Sequence, residues 1–333
     1  DAFAARVNTS IIYDHVKRIL ILTSDKKLFS QDFNDILNDL DKSKFSHENF
    51  SSKGSVKIFS KGTSIEHQTQ VKSCIDYIYQ GEIFQANLSR LWRFKVDEEL
   101  TDIDIYRKLR EKNPAPFAGI VRYKKSSIIS SSPERLISIS GDHLQTRPIA
   151  GTRPRGTSGI VDVELTRELI NSDKEKAEHL MLVDLERNDI SKVCEAGSVK
   201  VDEMMSIETY AHVHHIVSNI SGKKRKNINP GEIIKSVFPG GTITGCPKVR
   251  CMEILAELEK EGRGPYTGSF GYVTHSGNMD INILIRTILK ESNDLFFRAG
   301  GGIVADSIPQ NETLETEAKA NGMLKALESF ENV

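Results

Sequence analysis

Several strand-like segments of this chain are separated by only two or three turn-forming residues, and that spacing restricts the fold more than any other feature. The run Leu136–Thr146 is interrupted by Gly141-Asp142, and Ser276-Gly277-Asn278 separates Ser269–His275 from Met279–Leu289. Turns this short return the chain as an antiparallel neighbour, whereas a parallel neighbour needs a crossover of about a dozen residues or more. Further strands are predicted at 117–123, 128–131, 198–202, 214–220 and 295–299. Without the alternating βαβ units of a Rossmann fold, the expected class is α+β on antiparallel sheets.

Helical periodicity is clearest from Glu66 onwards, where Val71, Cys74, Ile75, Ile78 and Tyr79 recur on one face and Gly81 follows where a C-cap belongs. Helices are also predicted at 162–171, 174–186, 247–259, with Pro247 in the first turn, and 311–330. Residues 1–64 read as a small N-terminal subdomain or flap, and 65–333 as the main domain. Neither an internal repeat nor a low-complexity tract is visible.

A net charge of -1 gives no overall field for nucleic acid or an anionic membrane, so any bound anion needs a local site. No apolar stretch is long enough to span a bilayer, and the N-terminus DAFAARVNTS lacks the build of a secretory signal, so a cytoplasmic protein is expected. The four cysteines, Cys74, Cys194, Cys246 and Cys251, show no CxxC pairing and are expected as reduced thiols.

Two glutamate pairs stand out. Glu175 and Glu178 lie three apart with Leu182 continuing the face, and Glu312 and Glu315 repeat the spacing with Lys319 one turn later. Each pair alone fits a solvated helix face. Were the two helices to face each other, the four carboxylates would share a cation, and oxygen ligands of this kind suit Mg²⁺.

Three other patterns lead nowhere. Gly300-x-Gly302-x-x-Ala305 has dinucleotide-fingerprint spacing but continues as strand and loop, and Gly240 to Gly245 has P-loop spacing with Cys246 where lysine is needed. Along a strand His212 and His214 point away from His215, so at most two of them share a metal, and zinc is not expected.

The runs SSPERL at 131–136, TRPIAGTRPRG at 146–156, KAEHLMLVDLERND at 176–189, FPGGTITGCPKVR at 238–250, GPYTGSFGY at 264–272, INILIRT at 281–287 and RAGGGIVADS to ETEAKA at 298–320 together resemble the chorismate-binding enzyme family, over residues 66–329. The resemblance implies two antiparallel sheets packed as a sandwich around the active site, helices outside, and Mg²⁺ between protein carboxylates and chorismate. It makes Glu178 and Glu315 the metal ligands, with Glu175 and Glu312 beside them, and Glu134 the acid that protonates the departing 4-hydroxyl. Tyr266, Arg286 and the amides of Gly300, Gly301 and Gly302, with Lys319 nearby, would hold the enolpyruvyl carboxylate. Thr242 and His215 would lie close to the substrate.

Family members that add water carry a basic lysine in the segment matching GEIFQANLSR, where this chain has Gln85. Glutamine cannot deprotonate water, whereas ammonia is already a nucleophile. The wording QANLSR, FPGGTITG, NMDINILIRT and RAGGGIVADS is similar to the aminodeoxychorismate synthase component I branch, with anthranilate synthase component I the alternative and a non-catalytic chorismate-binding scaffold a remote one. Ala150 in PIAGT stands where many aminodeoxychorismate synthases have a nucleophilic lysine and where anthranilate synthases have alanine. No glutaminase pattern is visible, so ammonia is expected free or from a separate glutamine amidotransferase subunit.

Overall fold

The computed structural model describes residues 2–25, 30–45, 54–209 and 213–330. The chain divides into two units, residues 1–51 and 52–333. The smaller holds the antiparallel strands Thr9–Asp14 and Ile19–Ser24 and the helix Ser30–Phe45. The division precedes residue 64, the boundary read from the sequence, because strand Val56–Lys61 hydrogen-bonds along Gln85–Val96 and so belongs to the larger unit.

The larger unit contains two seven-stranded sheets. The first runs in space Lys200–Thr209, Val213–Lys223, His143–Thr146, Arg135–Ser140, Met279–Asn282, Gly271–Val273, with Ile149–Pro154 added to Val213–Lys223. The second runs Gly245–Cys246, Gln85–Val96, Asp294–Ile303, Thr287–Glu291, Ser126–Ser132, Phe117–Tyr123, with Val56–Lys61 added to Gln85–Val96. Neighbours in both are antiparallel, as the short turns require.

The Gln85–Val96 strand shows how alternation sorts side chains. Leu88 is buried against Val71, Cys74 and Ile254 of helices Ser64–Tyr79 and Lys248–Glu259, whereas Trp92 and Phe94 enter a second helix-covered core, stacked on Phe297 at centroid distances of 5.2 and 5.5 Å. That core takes in helices Asp102–Lys112 and Pro309–Glu328 through Ile105, Leu109, Met323 and Leu327. The opposite face carries Gln85, Asn87 and Ser89, all buried yet polar. The first sheet is covered likewise, with Val183 and Ile190 of helix Asp173–Ser191 and Ile233 of helix Pro230–Val237 packed on Ile137, Ile139 and Ile220.

Two of the passages between the sheets are short links with no intervening helix. Ser126–Ser132 leads into Arg135–Ser140 through Pro133-Glu134, and Met279–Asn282 leads into Thr287–Glu291 through 283–286. The crossings are bonded to each other: Ile283 N–H donates to Glu134 O at 3.0 Å, Ser132 Oγ to Ile283 O at 2.5 Å, and Ser131 N–H to Arg286 O at 3.1 Å. The single strand predicted at 279–289 is therefore two strands. The break spans 283–286 and closes with Arg286, whose φ of +51° is left-handed. Among the described residues no helix is long and apolar enough to cross a membrane, and the four cysteines are free thiols.

Candidate active site

Glu134 stands in the first crossing and is 5% exposed. Its Oε1 accepts a hydrogen bond of 2.8 Å from Thr242 Oγ1, which the short helical turn Gly241–Ile243 supplies. Burial raises the Glu134 carboxyl to about 7, against the opposing pull of that hydrogen bond and of the Lys319 and Arg286 charges. Near neutral pH the group is thus poised between acid and carboxylate.

Arg286 occupies the second crossing, half-buried. Desolvation lowers its guanidinium, and Tyr266 and Glu134 are the groups that pull it back up. Tyr266 is 6% exposed and receives a 3.3 Å hydrogen bond from Asn87 Nδ2. A Cβ on Gly300 would fall 2.6 Å from Tyr266 Oη and equally close to Leu88 O, so only glycine lets the strand pass here.

The adjacent glycines bring the two glutamate helices to one point. A Cβ on Gly301 would lie 3.2 Å from Glu315 Oε1 and 3.6 Å from Glu312 Oε2. On Gly302 it would lie 2.9 Å from Glu178 Oε1 and 2.2 Å from Gln85 Nε2. Glu178, Glu312 and Glu315, on helices far apart in the chain, therefore approach one stretch of strand, while Glu175 lies against Gly151 on the strand Ile149–Pro154. Glu178 is shifted upward, first by burial, then by the Glu175 charge, with Glu315 adding to it.

Three of these carboxylates have distinct counterparts. Gln85 Nε2 donates to Glu178 Oε1 at 2.7 Å, Arg153 lies 3.2 Å from Glu175, and Lys319 Nζ lies 2.6 Å from Glu315 while donating to Gly300 O at 3.0 Å. Among the described residues no three His, Cys, Asp or Glu side chains are grouped closely enough to hold a metal by themselves. Glu178 and Glu315 fit Mg²⁺ in kind, since they are oxygen donors and this ion commonly takes one or two carboxylates and completes its shell with water and an anionic substrate.

His215 is 6% exposed, and burial with the Arg286 charge lowers it to about 4, so it is neutral near pH 7. His214 turns the other way, its Nε2 2.9 Å from Asp162 and its Nδ1 2.9 Å from Thr209. His212 lies outside the described residues. Ala150 is 7% exposed on the strand Ile149–Pro154, opposite Ile216 and two residues before Thr152, the partner of His215.

Three further groups carry no distinctive mark in the sequence. Asn87, two residues beyond Gln85, holds Tyr266, and the alternation of polar residues in QANLS is its one available signal. Glu259 receives Ser89 N–H at 2.9 Å, Ser89 Oγ at 2.8 Å and Arg263 at 2.7 Å, with Arg298 at 3.4 Å, anchoring the loop that carries Tyr266. Glu186 is buried against Thr146 Oγ1 at 2.5 Å. The last two look like ordinary charged helix positions.

Comparison with known proteins gives the family. The family described as chorismate binding enzyme matches residues 1–325. An anthranilate synthase component I-like protein of Synechocystis sp. is 48% identical over 265 residues, 80% of this chain and 55% of that protein. Aminodeoxychorismate synthase component 1 of Bacillus subtilis is 48% identical over 261 residues, 78% of this chain and 55% of that one. The chain thus spans about half the length of these relatives. The crystal structure of anthranilate synthase component I from Streptococcus pneumoniae superimposes with a TM-score of 0.82 at 33% identity, covering 95% of this chain and 72% of that one.

Proposed function

This chain belongs to the chorismate-binding enzyme family, and from that premise we propose that it aminates chorismate as an aminodeoxychorismate synthase component I, with Mg²⁺ as cofactor. Gln85 carries the reading. Its amide nitrogen is committed to Glu178, while its Oε1 is buried with no hydrogen-bond partner. A carbonyl oxygen cannot take a proton from water, but it accepts a hydrogen bond from ammonia, whose lone pair stays available for attack. Ammonia, free or delivered by a separate glutamine amidotransferase subunit, is accordingly the proposed nucleophile.

The remaining roles follow from position. Arg286, Tyr266 and the Gly300 to Gly302 backbone, with Lys319, would hold the enolpyruvyl carboxylate, a planar anion suited to a guanidinium fork. Glu178 and Glu315 would hold Mg²⁺, with Glu175 and Glu312 adding negative charge beside them; when bound, the ion would supply a fixed positive charge for the ring carboxylate. Glu134 in its acid form would donate its proton to the departing 4-hydroxyl, with Thr242 fixing the carboxyl and neutral His215 lining the pocket. Ala150 supplies no nucleophile, so ammonia would attack C4 directly. The product would be 4-amino-4-deoxychorismate, a precursor of 4-aminobenzoate for folate.

Anthranilate synthesis is the second reading, favoured by the alanine at 150 and by the anthranilate synthase relatives. Both readings require turnover. Chorismate should disappear when Mg²⁺ and ammonium are supplied together; no loss above the uncatalysed rate would leave only a binding scaffold.

A further inference from the structure

We infer that Lys319 is a resident counter-cation for Glu315, so that a divalent ion enters the glutamate cluster only by displacing this lysine. The inference rests on the metal reading above. Glu315 and Lys319 are one helical turn apart on Pro309–Glu328, and the ammonium lies 2.6 Å from Oε1, the same oxygen that faces Gly301. A divalent ion approaching that oxygen meets the like charge of an ammonium already in contact with it, a repulsion relieved when the lysine withdraws.

The pair is within reach of a solvated ion, its side chains being 34% and 48% exposed. The neighbouring acids are served differently. Glu175 faces Arg153 and Glu178 is held by the neutral amide of Gln85. Lys319 therefore places a positive charge among these acids, in contact with Glu315 and with its field reaching Glu178 and Glu134.

The lysine also has somewhere to go. Its Nζ already donates to Gly300 O at 3.0 Å, on the strand where the substrate carboxylate is proposed to sit, and its four-carbon stem is flexible. Once a carboxylate occupied that place, Lys319 would gain a second anionic partner and release Glu315 at lower cost. Metal and substrate would then each favour the other's binding, a reciprocal coupling through one side chain.

The test uses the full chain and Mn²⁺ alone at pH 7, with free ion read by its electron paramagnetic resonance signal and no substrate present. Lys319→Met should bind Mn²⁺ roughly tenfold tighter than the unaltered protein, Lys319→Arg should match the unaltered protein, and Arg286→Gln, which removes a nearby charge without freeing a carboxylate, should change affinity by less than about twofold. Lys319→Gln repeats the measurement should the methionine variant lose its native circular dichroism. Unchanged or weaker binding by the neutral variants overturns the inference and leaves the metal reading standing. Equal tightening in Arg286→Gln also overturns it, since a general field would then be the cause. If neither the variants nor the unaltered protein bind Mn²⁺ at millimolar concentration, the metal reading fails and takes the inference with it.

Discussion

A carboxylic acid donates a proton near pH 7 only where its surroundings resist ionisation, and Glu134 meets that condition by burial. Its value of about 7 lies well above the ordinary carboxyl range even though Thr242, Lys319 and Arg286 all favour the charged form. The acid form is lost as pH rises through that value, so the rate of hydroxyl departure should fall on the alkaline side of about 7. Glu134→Gln should keep chorismate affinity, slow turnover by roughly 10²-fold or more and flatten that pH limb. Isothermal titration alongside steady-state rates separates the two effects; loss of affinity in proportion to rate would make Glu134 a substrate ligand.

At the scale of elements, the loop after helix Lys248–Glu259 is fixed by one buried carboxylate facing two arginines. Removing the Glu259 charge leaves Arg263 and Arg298 without it in a dry setting, which costs about 3–5 kcal/mol. Glu259→Gln should therefore lower the denaturation midpoint and, by loosening Tyr266, raise KM for chorismate more than it lowers kcat. An unchanged KM in a destabilised variant would show that the cluster only holds the fold. The antiparallel sheets are legible in the sequence because short turns permit nothing else, and both glutamate pairs are legible as helix faces. The meeting of Glu178 with Glu312 and Glu315 at Gly301 and Gly302 is not, since it depends on strands distant in sequence. Gln85–Val96 is hard to read as a strand because one of its faces buries glutamine, asparagine and serine instead of apolar residues. The break at 283–286 is hidden by Ile283, Leu284 and Ile285, an apolar run that reads as continuous strand.

Across the whole molecule, buried acids tie stability to pH. Glu186, held by Thr146 in an interior setting, is raised to about 8, chiefly by burial. A group whose folded value is raised contributes stability that is fully present below the unfolded carboxyl range and lost as pH climbs through about 8. Glu134 acts in the same direction. Glu186→Gln cannot ionise, so its stability relative to the unaltered protein should grow between about pH 5 and pH 8, by as much as roughly 4 kcal/mol. Urea unfolding at the two pH values checks this, and parallel curves would mean that Glu186 is ionised in the fold.

The central claim concerns the product, and separation of the products formed from chorismate, ammonium and Mg²⁺ tests it most directly. Attack at C4 predicts a compound that accumulates until an added lyase converts it to 4-aminobenzoate, with no isochorismate formed when ammonium is left out, because Gln85 cannot act as a base. Fluorescent 2-aminobenzoate as the main product would contradict the account and make the chain an anthranilate synthase component.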